Sequence, residues 1–192
     1  MDILNGVKMK KVLVILFDKV EEVEAFAPVD ILRRAGADVK TAAVGGKLEV
    51  CGRSGILAKA DSLFSDAAKC DYDAVVLPGG PGTSEIISNQ EIADFLSIQS
   101  GKGSLMCAIC AAPSVFMRAG IIGSRKCASH PSVADVLGAA RTDSSTLRDG
   151  SLITSQGAGT AVEFALEIVA ALFGASKAAE VSKSICYRNG RG

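Results

Sequence analysis

The chain has 192 residues, with 21 Lys+Arg against 21 Asp+Glu, so its formal net charge is zero. That length fits one domain able to bury a substantial core. The charge balance excludes the basic footprint that nucleic acid or an anionic membrane surface would require of a partner.

Residues 1–9 precede the first periodic segment and are expected to form a flexible N-terminal extension. KMKK before VLVILF mimics a signal peptide, but the apolar run Val12 to Phe17 stops at Asp18-Lys19, too soon for a secretory core. No segment approaches the length of a membrane span, so a cytoplasmic protein is expected. KVLVILF (11–17) is continuous and β-branched, the pattern of a parallel strand covered on both faces. VEAFAPVDILRRAG (23–36) has helical spacing, stops at two arginines and Gly36, and carries Pro28, which predicts a bend or a late start there. DVKTAAV (38–44) reads as a second strand, and KLEVCGRSGILAKA (47–60) as a hairpin turning at Gly52 to Gly55. DAVVLPGGPGT (73–83) is a buried strand entering a glycine loop, and 84–100 is helical with a break near Asn89. SLMCAI (104–109) is a fourth buried strand, followed by the helix AAPSVFMRAG (111–120). GSLITSQGAGT (150–160) gives the last strand and its loop, and AVEFALEIVAALFG (161–174) a helix stopped by Gly174. Strands alternating with helices predict an α/β fold: a flavodoxin-like three-layer α/β/α sandwich with a mostly parallel sheet, over 10–192 as a single domain. Ligands in such folds gather at the carboxyl ends of the strands.

Six cysteines in a chain with a core of its own read as thiols rather than as a disulfide framework. Cys107-x-x-Cys110 and Cys127-x-x-His130, separated by sixteen residues, match the spacing of a zinc ribbon. Their context does not: Cys107 lies inside a strand, where residues three apart face opposite ways, so no metal site is expected and Cys107 reads as core.

Cys110 stands where the strand gives way to the helix, with Ala108 and Ala112 two residues to either side. A nucleophile elbow needs this arrangement, since larger neighbours would collide across the turn. The helix N-terminus then points at the sulfur and is expected to lower its pKa. The buried, inert cysteine is the competing reading. His130 is the single histidine, so any imidazole chemistry must use it. Glu21, Glu22 and Glu24 fall in a carboxyl-end loop, where they can cap a helix or, if buried beside a thiolate, donate a hydrogen bond to it. The glycines of LPGGPGT offer bare amides for an oxyanion but match no dinucleotide or Walker signature.

These motifs together (KVLVILF with EEVE, PVDILRRAG, VVLPGG, AIC followed by AAP, a later HP, and TSQGAGT with EFAL) resemble the ThiJ/PfpI superfamily, which is glutamine amidotransferase class I-like. The likeness runs from Lys10 to about Ser184 and is nearest to the small dimeric, Parkinson-disease-associated branch. It implies Cys110 as nucleophile, Glu24 as the buried glutamate beside it and His130 as the third member. It further implies Gly80 and the Ala111 amide as oxyanion holders, and Arg53 as an arginine reaching toward the partner subunit's site. Ala158 stands where relatives often carry proline, and Ala58 where some place an interface cysteine. The implied activity is a cofactor-free glyoxalase III or protein deglycase, acting on methylglyoxal, glyoxal and early protein adducts, in a homodimer with chaperone-like protection against oxidative stress. Either Glu24 or His130 would be the base. A non-enzymatic redox sensor working through Cys110 and a cysteine peptidase are the alternatives; glutathione-independent turnover and casein digestion separate them.

Overall fold

The computed structural model describes residues 3, 4 and 7–188. Two short strands, β1 (Ile3–Leu4) and β2 (Val7–Lys8), pair antiparallel with each other. The expected flexible extension therefore falls partly on residues 1, 2, 5 and 6, outside the described residues, and partly on this ladder. The chain continues through β3 (Lys11–Leu16), α1 (Glu22–Arg34), β4 (Asp38–Ala43) and a hairpin of β5 (Glu49–Cys51) and β6 (Leu57–Lys59). Next come β7 (Ser62–Leu63), α2 (Phe64–Ala67), β8 (Ala74–Leu77), α3 (Thr83–Ile86) and α4 (Gln90–Gly101). Then follow β9 (Leu105–Ile109), α5 (Pro113–Arg118), β10 (Cys127–Ala128), α6 (Ala134–Leu137) and β11 (Arg141–Thr142). The chain closes with β12 (Thr146–Asp149), β13 (Leu152–Ser155), α7 (Ala161–Phe173) and α8 (Ala175–Ser184).

Seven strands form the central sheet in the order β12-β13-β9-β8-β3-β4-β7. All neighbours are parallel except β12, which runs antiparallel to β13 on the edge. β3, β8 and β9 are buried on both faces, as their unbroken apolar runs require, and Val12 through Leu16 have no exposed surface. Helix α1 packs on α7, and α4 on α5, which gives the flavodoxin-like sandwich expected from the sequence. From β3 the chain moves outward to β4 and β7, then returns to β8 on the other side of β3 and proceeds to β9 and β13. The strand order thus reverses between β3 and β8, where an open α/β sheet leaves a crevice at its carboxyl edge.

Helix α1 starts at Glu22, six residues ahead of Pro28, rather than at the proline. Its start is fixed by Glu21, whose side chain accepts from the Glu24 amide at 2.8 Å, and by acidic residues in the first turn. The proline costs one hydrogen bond in mid-helix. The break at Asn89 is a true cap, since its side chain accepts from the Ile92 amide at 3.2 Å and starts α4.

Phe164 of α7 is fully buried and among the largest such side chains. Phe164→Ala should destabilise the protein by about 3–5 kcal/mol, whereas Ile98→Ala, at a side chain 54 % exposed, should stay within about 0.5 kcal/mol. Urea unfolding midpoints of the two variants check this.

Candidate active site

Cys110 follows the last residue of β9 with φ of 65°, a left-handed conformation that costs a non-glycine residue on the order of 1–3 kcal/mol. Its backbone is held on both sides. The Cys110 N–H donates to the Ser155 carbonyl at 2.9 Å, continuing the β9–β13 ladder, and its carbonyl accepts from the His130 N–H at 2.8 Å. The Ala112 N–H closes the turn on the Ile109 carbonyl at 3.1 Å. Ala108 and Ala112 are completely buried, which is the reason for small residues there. The elbow reading of the sequence is thus the conformation the chain adopts.

Glu24 is only 1 % exposed, and its Oε2 accepts from the Gly79 N–H at 2.9 Å. The Cys110 thiol faces the same carboxylate within hydrogen-bonding range. A Cβ on Gly79 would lie 2.7 Å from the Cys110 Cβ, 2.8 Å from Glu24 Oε2 and 2.9 Å from the Ala111 nitrogen. Thiol, carboxylate and amide can meet only because that position is glycine. Gly80, at φ of 114°, turns the chain so that its amide and that of Ala111 address the sulfur.

Burial pushes the Glu24 carboxyl up from its ordinary 4.5 to about 7, against the pull of the Cys110 and Gly79 hydrogen bonds. Burial, and then the Glu24 charge and hydrogen bond, push the Cys110 thiol up to about 12, while the Ala111 and Gly80 amides pull it down. This corrects the depressed thiol pKa expected from the helix N-terminus. Helix α5 begins only at Pro113 and runs six residues, so its end is weak and removed from the sulfur, and burial together with the adjacent carboxylate outweighs it.

His130 lines the same pocket as Cys110, a cavity of about 440 Å³ that also takes in Arg53, Gly80 and Ala111. The side of Gly157 toward the site looks onto both Glu24 Oε1, at 3.8 Å, and His130 Cδ2, at 3.9 Å, from the position a Cβ would occupy. Arg53 lines the pocket of its own chain. The reason is the anchoring of its hairpin. The Arg53 N–H donates to the Val20 carbonyl at 2.9 Å, the Ser54 N–H to Glu22 Oε1 at 2.7 Å, and the Cys51 N–H to Asp18 Oδ1 at 2.9 Å. Cys107 and Cys127 are fully buried, and burial raises both thiols. Among the described residues no three His, Cys, Asp or Glu side chains gather as ligands for an ion. No described helix is long and apolar enough to cross a membrane.

Sequence reasoning missed Gly79, Gly157 and Ser132. Gly79 is the first glycine of LPGG, and its need shows only when Glu24 and Cys110 are placed on either side of it. Ser132 was legible as a helix-start residue after His130-Pro131, and it is the partner of the imidazole ring.

Residues 10–171 match the DJ-1/PfpI family. The chain is 39 % identical over 181 residues to Protein dj-1beta of Drosophila melanogaster, covering 92 % of this chain and 96 % of that one. The crystal structure of Drosophila melanogaster DJ-1beta superposes with a TM-score of 0.91 at 36 % identity, over 95 % of this chain and all of that one. Protein DJ-1 homolog B of Arabidopsis thaliana is also 39 % identical, over 91 % of this chain, which spans only 40 % of that relative's length. The glutathione-independent glyoxalase DJR-1.2 of Caenorhabditis elegans is 33 % identical over 86 % of this chain and 90 % of its own. With a family match over most of its length and relatives that align almost end to end, the chain belongs to the DJ-1/PfpI family.

Proposed function

We propose that the protein is a cofactor-independent glyoxalase III that converts methylglyoxal and glyoxal to lactate and glycolate, and that acts as a protein deglycase on early glycation adducts. The observation that carries this reading is the Cys110 thiol set against the buried Glu24 carboxylate, below the Gly80 and Ala111 amides, at the floor of an open pocket. The glyoxalase name of the Caenorhabditis relative points to the same chemistry.

The chemistry is a proton circuit. Glu24 takes the thiol proton as sulfur adds to the aldehyde carbon, so a C–S bond forms and the carbonyl π pair moves to oxygen. The Gly80 and Ala111 amides hold that oxyanion, and Glu24 returns the proton to it, giving a hemithioacetal. A base, Glu24 or His130, then removes the C1 proton; the enediol takes a proton at C2 and becomes a lactoyl thioester. Water cleaves the thioester, yielding lactate and free thiol, so one water is consumed and nothing is oxidised overall. A carboxyl with a pKa of about 7 is suited to this, because near neutral pH it both accepts and returns a proton. A deglycase reaction uses the same first adduct.

The protein is further proposed to be a cytoplasmic homodimer. Glu22 accepts from the Ser54 amide, which sets the hairpin turn with Ile56 (57 % exposed) and Leu57 (76 %) beside α1, whose Val23 is 50 % exposed. Apolar side chains grouped this way suit burial against a second copy.

Glutathione-free lactate formation should be measurable in the wild type and fall at least about 1,000-fold in Cys110→Ala, as expected on losing a covalent nucleophile. Equal rates in the two proteins would remove Cys110 from the reaction. Light scattering at micromolar concentration should return twice the mass of one chain, and a monomer mass would refute the dimer. The Glu24 carboxyl also makes a stability prediction. Its pKa is raised in the folded state, so its contribution is fully present below pH 4.5 and is lost as pH rises through about 7. Relative to Glu24→Gln, the wild type should lose about 3 kcal/mol across that window. Urea unfolding of both proteins at pH 4.5 and 7.5 reads the difference, and parallel curves would show that the carboxyl does not titrate there.

A further inference from the structure

We infer that His130 serves this site as a hydrogen-bond donor through Nε2–H and not as its base, and that Ser132 is the positioning residue that fixes the ring in that tautomer. The inference rests on the glyoxalase reading for its chemical meaning, but its geometric basis is independent of it. His130 precedes the 3₁₀ turn Pro131–Val133, and its side chain caps that turn. The Ser132 backbone N–H donates to His130 Nδ1 at 3.2 Å. An amide N–H is a fixed donor and cannot reverse its role, so Nδ1 must offer a lone pair. In the neutral ring the proton is then on Nε2. The Ser132 hydroxyl lies 2.8 Å from the same Nδ1 and, being a rotor, supplies a second donor to it. Pro131 between them fixes the spacing, and the Val133 N–H closes the turn on the His130 carbonyl at 3.2 Å.

The backbone of this cap is tied to the elbow itself, because the His130 N–H is the group that holds the Cys110 carbonyl. Ring orientation and nucleophile orientation are therefore set by one rigid unit. Nδ1 is occupied by Ser132, so what the ring has left to offer a substrate is Nε2–H. A neutral imidazole presenting N–H polarises a carbonyl and steadies an enediolate, whereas a base needs the lone pair that Ser132 already engages. The C1 proton is then left to Glu24, whose carboxylate regenerates when the hemithioacetal oxygen takes its proton. The same Glu24 returns the C1 proton to C2, and the C1 hydroxyl proton passes to the neighbouring C2 oxygen as the thioester carbonyl forms, while His130 Nε2–H hydrogen-bonds that oxygen throughout without giving up its own proton.

Two measurements test this. His130 is the only histidine, so the ¹⁵N spectrum of the imidazole is unambiguous. In the neutral ring Nδ1 should give a pyridine-type shift and Nε2 a pyrrole-type shift; the reverse pattern, or an even mixture, would overturn the assignment whatever the protein catalyses. Ser132→Ala keeps the amide donor but loses the hydroxyl, and should move the Nδ1 shift toward the mixed tautomer. An unchanged shift would remove the Ser132 hydroxyl from the positioning role. Kinetics separates donor from base. His130→Gln places an amide N–H near the Nε2 position and should hold kcat within about 10-fold of wild type for methylglyoxal, with His130→Ala falling by about 100-fold or more. If Gln and Ala fall together, His130 acts as a base and the inference fails. If the wild type forms no lactate, the glyoxalase reading fails instead, and the nitrogen shifts still decide the tautomer.

Discussion

The site depends on one strained residue. A cysteine at φ of 65° at the end of a parallel strand is not a conformation the chain would choose, and it persists because both of its backbone groups are taken. Its N–H is claimed by β13, the neighbouring strand, and its carbonyl by the segment that carries His130. The first of these is a sheet hydrogen bond, so the stability of the central sheet is what aims the thiol. The second makes the loop after β10 part of the same device. A fold in which β9 had no parallel neighbour on this side could not hold the elbow.

From that constraint the electrostatics follow. The elbow drives Cys110 up against the carboxyl edge of the sheet, where β3 and β8 part and α1 begins. The capping of α1 by Glu21 puts Glu24 within the first helical turn, next to the switch point, and Gly79 leaves just enough room for carboxylate and thiol to meet. Burial then keeps Glu24 from ionising at its ordinary pH, and burial together with an ionised Glu24 keeps Cys110 from doing so. Neither group is a strong acid in place. Above about pH 7 the pair holds a single proton, and on the proposed mechanism that proton is the working part: it leaves the sulfur as the C–S bond forms and is handed to the oxygen that bond creates. The Gly80 and Ala111 amides favour the anionic state of whichever atom they face, sulfur before addition and oxygen after it.

Much of this was legible in the sequence, for definite reasons. The three central strands are continuous apolar runs covered on both faces, so KVLVILF, AVVL and LMCAI could be placed without a partner. The small residues around Cys110 are a local requirement of a sharp turn and can be read locally. The edge strand β12, TLRD, could not be read, because it is half-buried, polar and short, and becomes a strand only through its pairing of Thr146 with Ser155 and Asp149 with Leu152. Of the bend or late start expected at Pro28, the late start does not occur, because the capping Glu21 begins α1 at Glu22 ahead of the proline. The thiol pKa was misjudged for a different reason. The helix after Cys110 was legible, but its short length and start at Pro113 were not, and the burial of Glu24 is a fact about four separate segments meeting.

Arg53 shows how a long-range arrangement is assembled from short-range parts. Nothing about GRSG alone places its arginine in the same pocket as a thiol fifty-seven residues later in the chain. The hairpin is laid across the β3–α1 connection by bonds from Cys51, Arg53 and Ser54 to Asp18, Val20 and Glu22. The same short connection carries Glu24. The Glu24 carboxyl and the backbone of Arg53, which lines the pocket, are thus positioned by one connection although they come from different elements. A positive charge held there lowers the Glu24 pKa slightly against the effect of burial. The result is a carboxyl balanced by opposing effects near neutrality, with burial on one side and the Cys110 and Gly79 hydrogen bonds and the Arg53 charge on the other.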